Sequence, residues 1–410
     1  MPISGELSGR LEALATEGAP PSEIVEAALR GAADARASDV HFEPVESGIE
    51  VRLRLDGVLQ PAATIPGELA APVIARLKVL AGLATYRTDV PQDGRISLEG
   101  LGGGADLRLS TYPTVRGEKA VVRLFAARAE EFRLRELGLG DEVAGVLETA
   151  LASREGLVVL TGPAGSGKTT TIYAAVQHVR DTSRAGNAGG SGRQIVTIED
   201  PVECLLPGVT QTQTNPPAGL TFANCLGSIL RQDPEVIVIG EVRDATTAEL
   251  ALQAALTGHL VVTTVHAGTA PGVFSRLVEM GIEPYLVTSV VRAALAQRLV
   301  RRLCPACRVR PDGDDNGEGG GWSAPGCDAC LGTGFRGRVP IAEALTLSPE
   351  LRAAVLARAD IDGLERAARA SGLRTLADAG EALVRSGVTS RDELGRVLAG
   401  VRTPSRDRKG

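Results

Sequence analysis

Aromatic side chains are scarce in this chain: phenylalanine, tyrosine and tryptophan together make up 3% of 410 residues. That scarcity argues against a stacking platform for unpaired bases. A positive excess is also missing, because 44 basic residues against 50 acidic ones leave a formal net charge of -6. A global pull on phosphate backbones is therefore excluded, and no nucleic-acid partner is expected. Lysine is nearly absent: Lys78, Lys119, Lys168 and Lys409 are its four occurrences, and arginine supplies the rest of the positive charge. The opening "MPISGELSGRLEALATEG" lacks the basic start and apolar run of a secretory signal. A long stretch free of acidic and basic side chains, residues 250–274, is broken by Gln253, His259 and His266, and reads as buried α/β core rather than a membrane span. These absences together predict a soluble cytoplasmic protein.

What is present suits two or three domains. Residues 1–36 read as a helical segment, with Ile3, Leu7, Leu11 and Leu14 forming a narrow apolar stripe. Such a helix is too short to be stable alone, so it packs either on its own domain or on a partner. Residues 37–126 alternate apolar and polar in several runs, for example "IEVRLRLDGVLQ", which predicts an α+β domain. Residues 127–140 are charged and irregular, as a linker would be. From 141 to 300 the pattern is apolar strand, glycine-rich turn and helix, repeated: the signature of a parallel α/β sheet. The stretch 181–194 reads as a flexible surface loop. Residues 341–400 are expected to be a helical region, and 401–410 a tail.

The strongest motif is "GPAGSGKTT", from Gly162, Pro163, Ala164, Gly165, Ser166 and Gly167 to Lys168, Thr169 and Thr170. It follows the apolar strand 157–160 and opens a helix, the context a phosphate-binding loop requires. Glycines let backbone N–H groups converge on phosphate oxygens, and the helix N-terminus adds positive potential. Lys168 is expected to hold the β- and γ-phosphates of ATP, and Thr169 to ligate Mg²⁺. In a chain that otherwise uses arginine, a lysine here fits a need for a compact point charge. Two acidic strand ends follow, "QIVTIED" with Glu199 and Asp200, and "EVIVIGE" with Glu241. Ligands of open α/β sheets sit at the carboxyl ends of strands. Glu199 is the first choice for polarising the attacking water, with Glu241 close behind, since Gly240 stands where a metal-holding aspartate is usual. His266, at the carboxyl end of an apolar strand, is a candidate sensor of the γ-phosphate, and His259 lies at the other end of that strand.

Cys304, Cys307, Cys327 and Cys330 form two Cys-x-x-Cys pairs separated by 19 residues. That spacing fits a closed tetrahedral Cys₄ zinc site within 301–340. The glycine-rich spacer cannot build a core, so a metal clip would supply the order that packing cannot.

These motifs, with "ASDVHFEP" (37–44), "PQDGRISL" (91–98), "TIEDPVE" (197–203), "SILRQDPEVIVIGEVRD" (228–244), "TGHLVVTTVHAGTA" (257–270) and "AQRLVRRLCPAC" (296–307), resemble the traffic ATPases of type II secretion and type IV pilus assembly, the GspE/PilB type. The resemblance covers about nine tenths of the chain and implies a RecA-like ATPase domain behind a PAS-like one. It also implies a homo-hexamer at the cytoplasmic face of the inner membrane, acting on a membrane platform protein. Arg95 and Arg108, with Arg123 less securely placed, match arginines that reach a neighbouring subunit's nucleotide. In this family a Cys₄ element accompanies assembly and secretion rather than pilus retraction. The additional N-terminal domain common in assembly ATPases is expected to be absent here. A DNA-uptake or nucleic-acid-translocating P-loop ATPase is the competing expectation, because Arg292, Arg298, Arg301, Arg302, Arg308 and Arg310 form a basic run; such a run is more often a solvated helix face, or contacts a subunit, lipid or platform protein. A small-molecule P-loop kinase lacks any acceptor motif.

Overall fold

The computed structural model describes residues 6–97, 106–124, 132–186, 192–310 and 321–400. By internal contacts the chain divides into two compact units. Unit 1 holds residues 1–128, 301–313 and 323–337; unit 2 holds 129–300, 314–322 and 338–410.

Unit 1 begins with helices α1 (Glu6–Thr16) and α2 (Pro21–Asp34). Strands β1 (Asp39–Val45), β2 (Gly48–Leu55) and β3 (Val58–Pro66) follow, then α3 (Gly67–Leu80) and β4 (Gln92–Ser97), β5 (Asp106–Thr114) and β6 (Gly117–Arg123). The strands make one sheet in the order β3-β2-β1-β6-β5-β4, with antiparallel neighbours throughout. Alternation does what it predicts: Val40 and Phe42 of β1 and Val51 and Leu53 of β2 are fully buried in the core. Leu11 joins that core at 0% exposure, with Leu7 and Leu14 packed against it. The N-terminal stripe therefore packs on its own domain; Ile3 lies outside the described residues.

Unit 2 contains α4 (Asp141–Leu151), β7 (Gly156–Thr161), α5 (Lys168–Gly186), β8 (Ile195–Glu199), β9 (Thr210–Gln213), α6 (Phe222–Ile229), β10 (Val236–Ile239), α7 (Ala245–Leu256), β11 (Leu260–Val265), α8 (Ala270–Glu279) and α9 (Pro284–Val290). Strands β12 (Val291–Leu303) and β13 (Phe335–Leu345) and helices α10 (Pro349–Leu356), α11 (Ile361–Ala370), α12 (Leu376–Arg385) and α13 (Arg391–Leu398) complete the chain. The sheet order is β13-β12-β7-β11-β10-β8-β9. From β12 to β9 each neighbouring pair is parallel. Every residue of β7, β8, β10 and β11 is buried, as strands covered on both faces must be.

Three local expectations change. Residues 181–186 continue α5 instead of forming a loop; 187–191 lie outside the described residues. Within the irregular stretch 127–140, Leu134 and Leu139 are buried in a hydrophobic cluster of unit 2. The arginine run begins on strand β12, not on a helix.

Candidate nucleotide site and metal centre

The phosphate loop joins β7 to α5 at the carboxyl edge of the parallel sheet. Gly162 has φ +152°, and a Cβ there would lie 2.5 Å from the Gln297 carbonyl oxygen and from Ser166 Oγ. Only glycine fits this approach. Gln297, 1% exposed, holds the loop from β12: its Nε2 donates to Ser166 O (2.7 Å), and its Oε1 accepts from Thr171 Oγ1 (2.9 Å). Lys168 Nζ donates to the carbonyls of Gly162 (2.7 Å) and Pro163 (3.0 Å). Burial lowers its pKa, while the charge of Glu241 works the other way. Ser166 Oγ is buried without a hydrogen-bond partner among the described residues, and the loop leads into the N-terminus of a 19-residue helix. An orphaned hydroxyl, a lysine and a helix N-terminus form a set that fits a polyphosphate with its cation. Thr169, exposed on the first turn of α5, is the residue that would hold Mg²⁺.

The acidic strand ends differ from each other. Glu199, the last residue of β8, is 6% exposed. Its carboxylate accepts from Tyr173 Oη, from Thr197 Oγ1 (2.5 Å) and from Gln211 Nε2 (3.0 Å). Burial, then this hydrogen bond, pushes the Tyr173 phenol pKa up. Glu241, two residues beyond β10, is ion-paired with Arg243 and lies 3.6 Å from His266 Nε2. Lys168, Glu241 and His266 are thus brought together, while Glu199 is enclosed by donors of its own. Gly240 has a steric reason: a Cβ there would come 3.2 Å from the Ile198 carbonyl and 3.5 Å from Glu199 Cα. His259 lies at the amino end of β11, its Nδ1 2.9 Å from Ala254 O, away from the carboxyl edge.

The loop after His266 is pinned on several sides. Ala267 exchanges two hydrogen bonds of 2.8 Å with Thr161 Oγ1. Arg298, 7% exposed, donates from Nη2 to Gly268 O (2.9 Å) and from Nη1 to Gln297 O (3.0 Å). At Arg298, then, the basic run is buried and structural rather than a solvated face. Gln297 and Arg298 belong to no phosphate motif; a polar pair inside an apolar strand was the available signal.

In unit 1 the arginines form a row. Arg54, Asp39, Arg123, Arg108 and Arg95 stand opposite one another across β2, β1, β6, β5 and β4. Asp39 pairs with Arg123 (3.0 Å) and Arg54 (3.3 Å). Arg95, Arg108 and Arg123 line one groove with Asp93 and Ser110.

The four thiols of Cys304, Cys307, Cys327 and Cys330 also converge in unit 1, all within 4.8 Å of one another. Sulfur–sulfur distances are 3.9 Å for Cys304–Cys327, 3.9 Å for Cys307–Cys330 and 3.8 Å for Cys327–Cys330. Tetrahedral zinc with bonds of about 2.3 Å needs about 3.8 Å between sulfurs. Burial alone would raise the Cys330 thiol, but N–H donors of Cys327 and Gly334 outweigh it and bring it down to about 7. Burial, with the neighbouring thiols, pushes Cys307 up to about 12. Four sulfurs so crowded fit a soft dication.

Among the described residues no helix is long and apolar enough to cross a membrane. Residues 15–396 match the family model described as type II/IV secretion system protein. The chain is similar to the type II secretion system protein HxcR of Pseudomonas aeruginosa, with 44% identity over 382 residues covering 93% of this chain and 78% of that protein. It is 38% identical over 384 residues to the type IV pilus assembly ATPase PilB of Thermus thermophilus, covering 91% of this chain and 42% of that longer protein. Among solved structures, the ATPase DotB of Legionella pneumophila superposes with a TM-score of 0.68 at 21% identity, covering 92% of this chain and 95% of that one. That last likeness is one of fold.

Proposed function

The chain belongs to the type II/IV secretion system protein family and is an ATPase, and on that footing we propose that it hydrolyses ATP as a homo-hexameric ring powering type II pseudopilus or type IV pilus assembly. The ring works in the cytoplasm, peripheral at the inner membrane, through a platform protein. The observation that carries this reading is the meeting of Lys168, Glu241 and His266 at one sheet edge beside the phosphate loop. Lys168 leaves the loop carbonyls to hold the β- and γ-phosphates. Glu241 orients the attacking water, and His266, 3.6 Å from it, reports the γ-phosphate. Thr169 would hold Mg²⁺, whose charge would offset that of the phosphates. Glu199 acts at one remove, holding Tyr173, Thr197 and Gln211 around the end of β8.

Arg95 and Arg108 serve a neighbouring subunit's nucleotide, with Arg123 steadied by Asp39 in the same row. The experiment is a subunit mix. Lys168→Ala and Arg108→Ala rings should each lose ATP turnover with the fold intact. Mixed rings should recover activity wherever two intact halves meet. Normal turnover in Lys168→Ala, or no recovery in mixed rings verified by mass, refutes the shared site.

A further inference from the structure

Glu343 is a carboxylate in the apolar run "VPIAEAL" of β13 and is 2% exposed. A charge buried this deeply is costly unless its oxygens are satisfied. Both are. Oε1 accepts from Ala270 N–H (2.7 Å), the first residue of α8, and Oε2 accepts from Leu376 N–H (2.9 Å), the first residue of α12. Each helix also has a side-chain cap of its own. Thr269 already caps α8 by accepting from Gly272 N–H, and Thr375 caps α12 by accepting from Asp378 N–H. What Glu343 adds is a common anchor for two helix starts more than a hundred residues apart in the chain. Two helix N-termini also place positive potential on the one carboxylate.

The α8 start is four residues after His266. Between them every step is fastened: Ala267 to Thr161, Gly268 to Arg298, Thr269 Oγ1 at 3.4 Å from Glu365 Oε1 on α11, and Ala270 to Glu343. Thr161 is the residue before Gly162 of the phosphate loop. One end of this loop is thus bolted to the nucleotide edge and the other to the C-terminal helices. A chain of hydrogen bonds between rigid elements is a physical route for coupling.

We infer that Glu343 is a positioning residue that couples the His266 loop to α12, so that nucleotide-dependent placement of His266 and ordering of the C-terminal helices occur together. The inference rests on the nucleotide site proposed above. Because a carboxamide has a single acceptor oxygen, Glu343→Gln keeps the shape and satisfies only one of the two N–H groups. The test is hydrogen exchange on the full chain, with and without a non-hydrolysable ATP analogue and Mg²⁺. In the wild type the analogue should slow exchange in both α8 and α12. In Glu343→Gln the α8 response should remain, and the α12 response should fall about fivefold or more, the lower end of ordinary coupling. The kcat should fall by a similar factor with KM for ATP unchanged, and Glu343→Asp should recover most of both. Should Glu343→Gln not fold, Leu376→Pro removes the α12 donor at a position that suits proline, and it should abolish the α12 response alone. A merely structural role would raise α12 exchange equally with and without the analogue. That result, or a wild-type α12 response in either variant, overturns the coupling. Absence of analogue binding to the wild type, measured by separate titration, instead overturns the nucleotide reading itself.

Discussion

Residues 162–167 and residues 326–334 are both rich in glycine, yet order reaches them from different sources. The first stretch lies between a strand with every residue buried and a 19-residue helix, and buried Gln297 presses on it from the next strand. Packing holds this loop. The second stretch contains one 3₁₀ turn, Asp328–Cys330, and little that can pack. Its apolar anchors are Leu331, partly buried against the unit 1 core, and Phe335, whose ring lies 3.9 Å under the Arg301 guanidinium. A Cβ on Gly334 would lie 2.4 Å from the Ala324 carbonyl, so the backbone closes on itself around the thiols. The comparison teaches where each ligand acts. At the phosphate loop the protein would organise its ligand; at the four cysteines a bound metal would organise the protein.

The sharpest way to break this comparison is to remove the second ligand. The protein should carry one zinc per chain. Replacing Cys304 and Cys327 by Ser should release it, since two thiolates cannot close a tetrahedral site. Structural zinc sites are worth on the order of 10 kcal/mol in isolated peptides, so exchange across residues 301–310 and 323–337 should rise toward that of an unfolded segment. Nucleotide binding by the phosphate loop should persist. Elemental analysis finding no metal in reduced, freshly purified protein would sink the assignment.

A smaller effect sharpens the other side. Glu241→Gln should bind ATP normally and lose about 10²- to 10³-fold in kcat, the usual scale for removing one group that acts in the transition state. Glu199→Gln should cost about 1 to 3 kcal/mol of stability, because a carboxamide cannot accept all three donors, and lose less than tenfold in turnover. Parallel measurement of melting and single-turnover hydrolysis separates the two roles. A catalytic collapse in Glu199→Gln with normal melting would return the water to Glu199.

The two acids show what the sequence could and could not reveal. Strand, glycine loop and helix are local, so Gly162 to Thr170 were legible at once, as were four cysteines at zinc spacing. Both acidic strand ends were visible too. Their surroundings were not, because Tyr173 and Gln211, which enclose Glu199, lie 26 and 12 residues from it. Arg298 was misread as part of an exposed run because charge pattern alone cannot show that Gly268, 30 residues away, offers a carbonyl to it. Glu343 belongs to no motif. An acid inside "VPIAEAL" breaks the apolar pattern of β13, and that break was its only local trace, since both donors come from elsewhere in the chain.

The N-terminal stripe carries the smallest effect. From spacing alone, Leu7, Leu11 and Leu14 suited either a partner or their own domain, since a short amphipathic helix must pack on something. In the fold Leu11 is fully buried and α1 packs on α2 and β3. Gly31 of α2 allows the close approach: a Cβ there would lie 2.2 Å from a Leu7 methyl. Leu11→Ala therefore removes a core side chain, and it should lower stability by about 2 to 3 kcal/mol, the lower part of the range for Leu→Ala, because a terminal helix can settle into part of the space left behind. Gly31→Ala should act in the same direction by forcing Leu7 outward. Chemical denaturation followed by circular dichroism measures both. A Leu11→Ala protein with unchanged midpoint would mean that α1 contributes nothing to the core it touches, and the stripe would then belong to a partner after all.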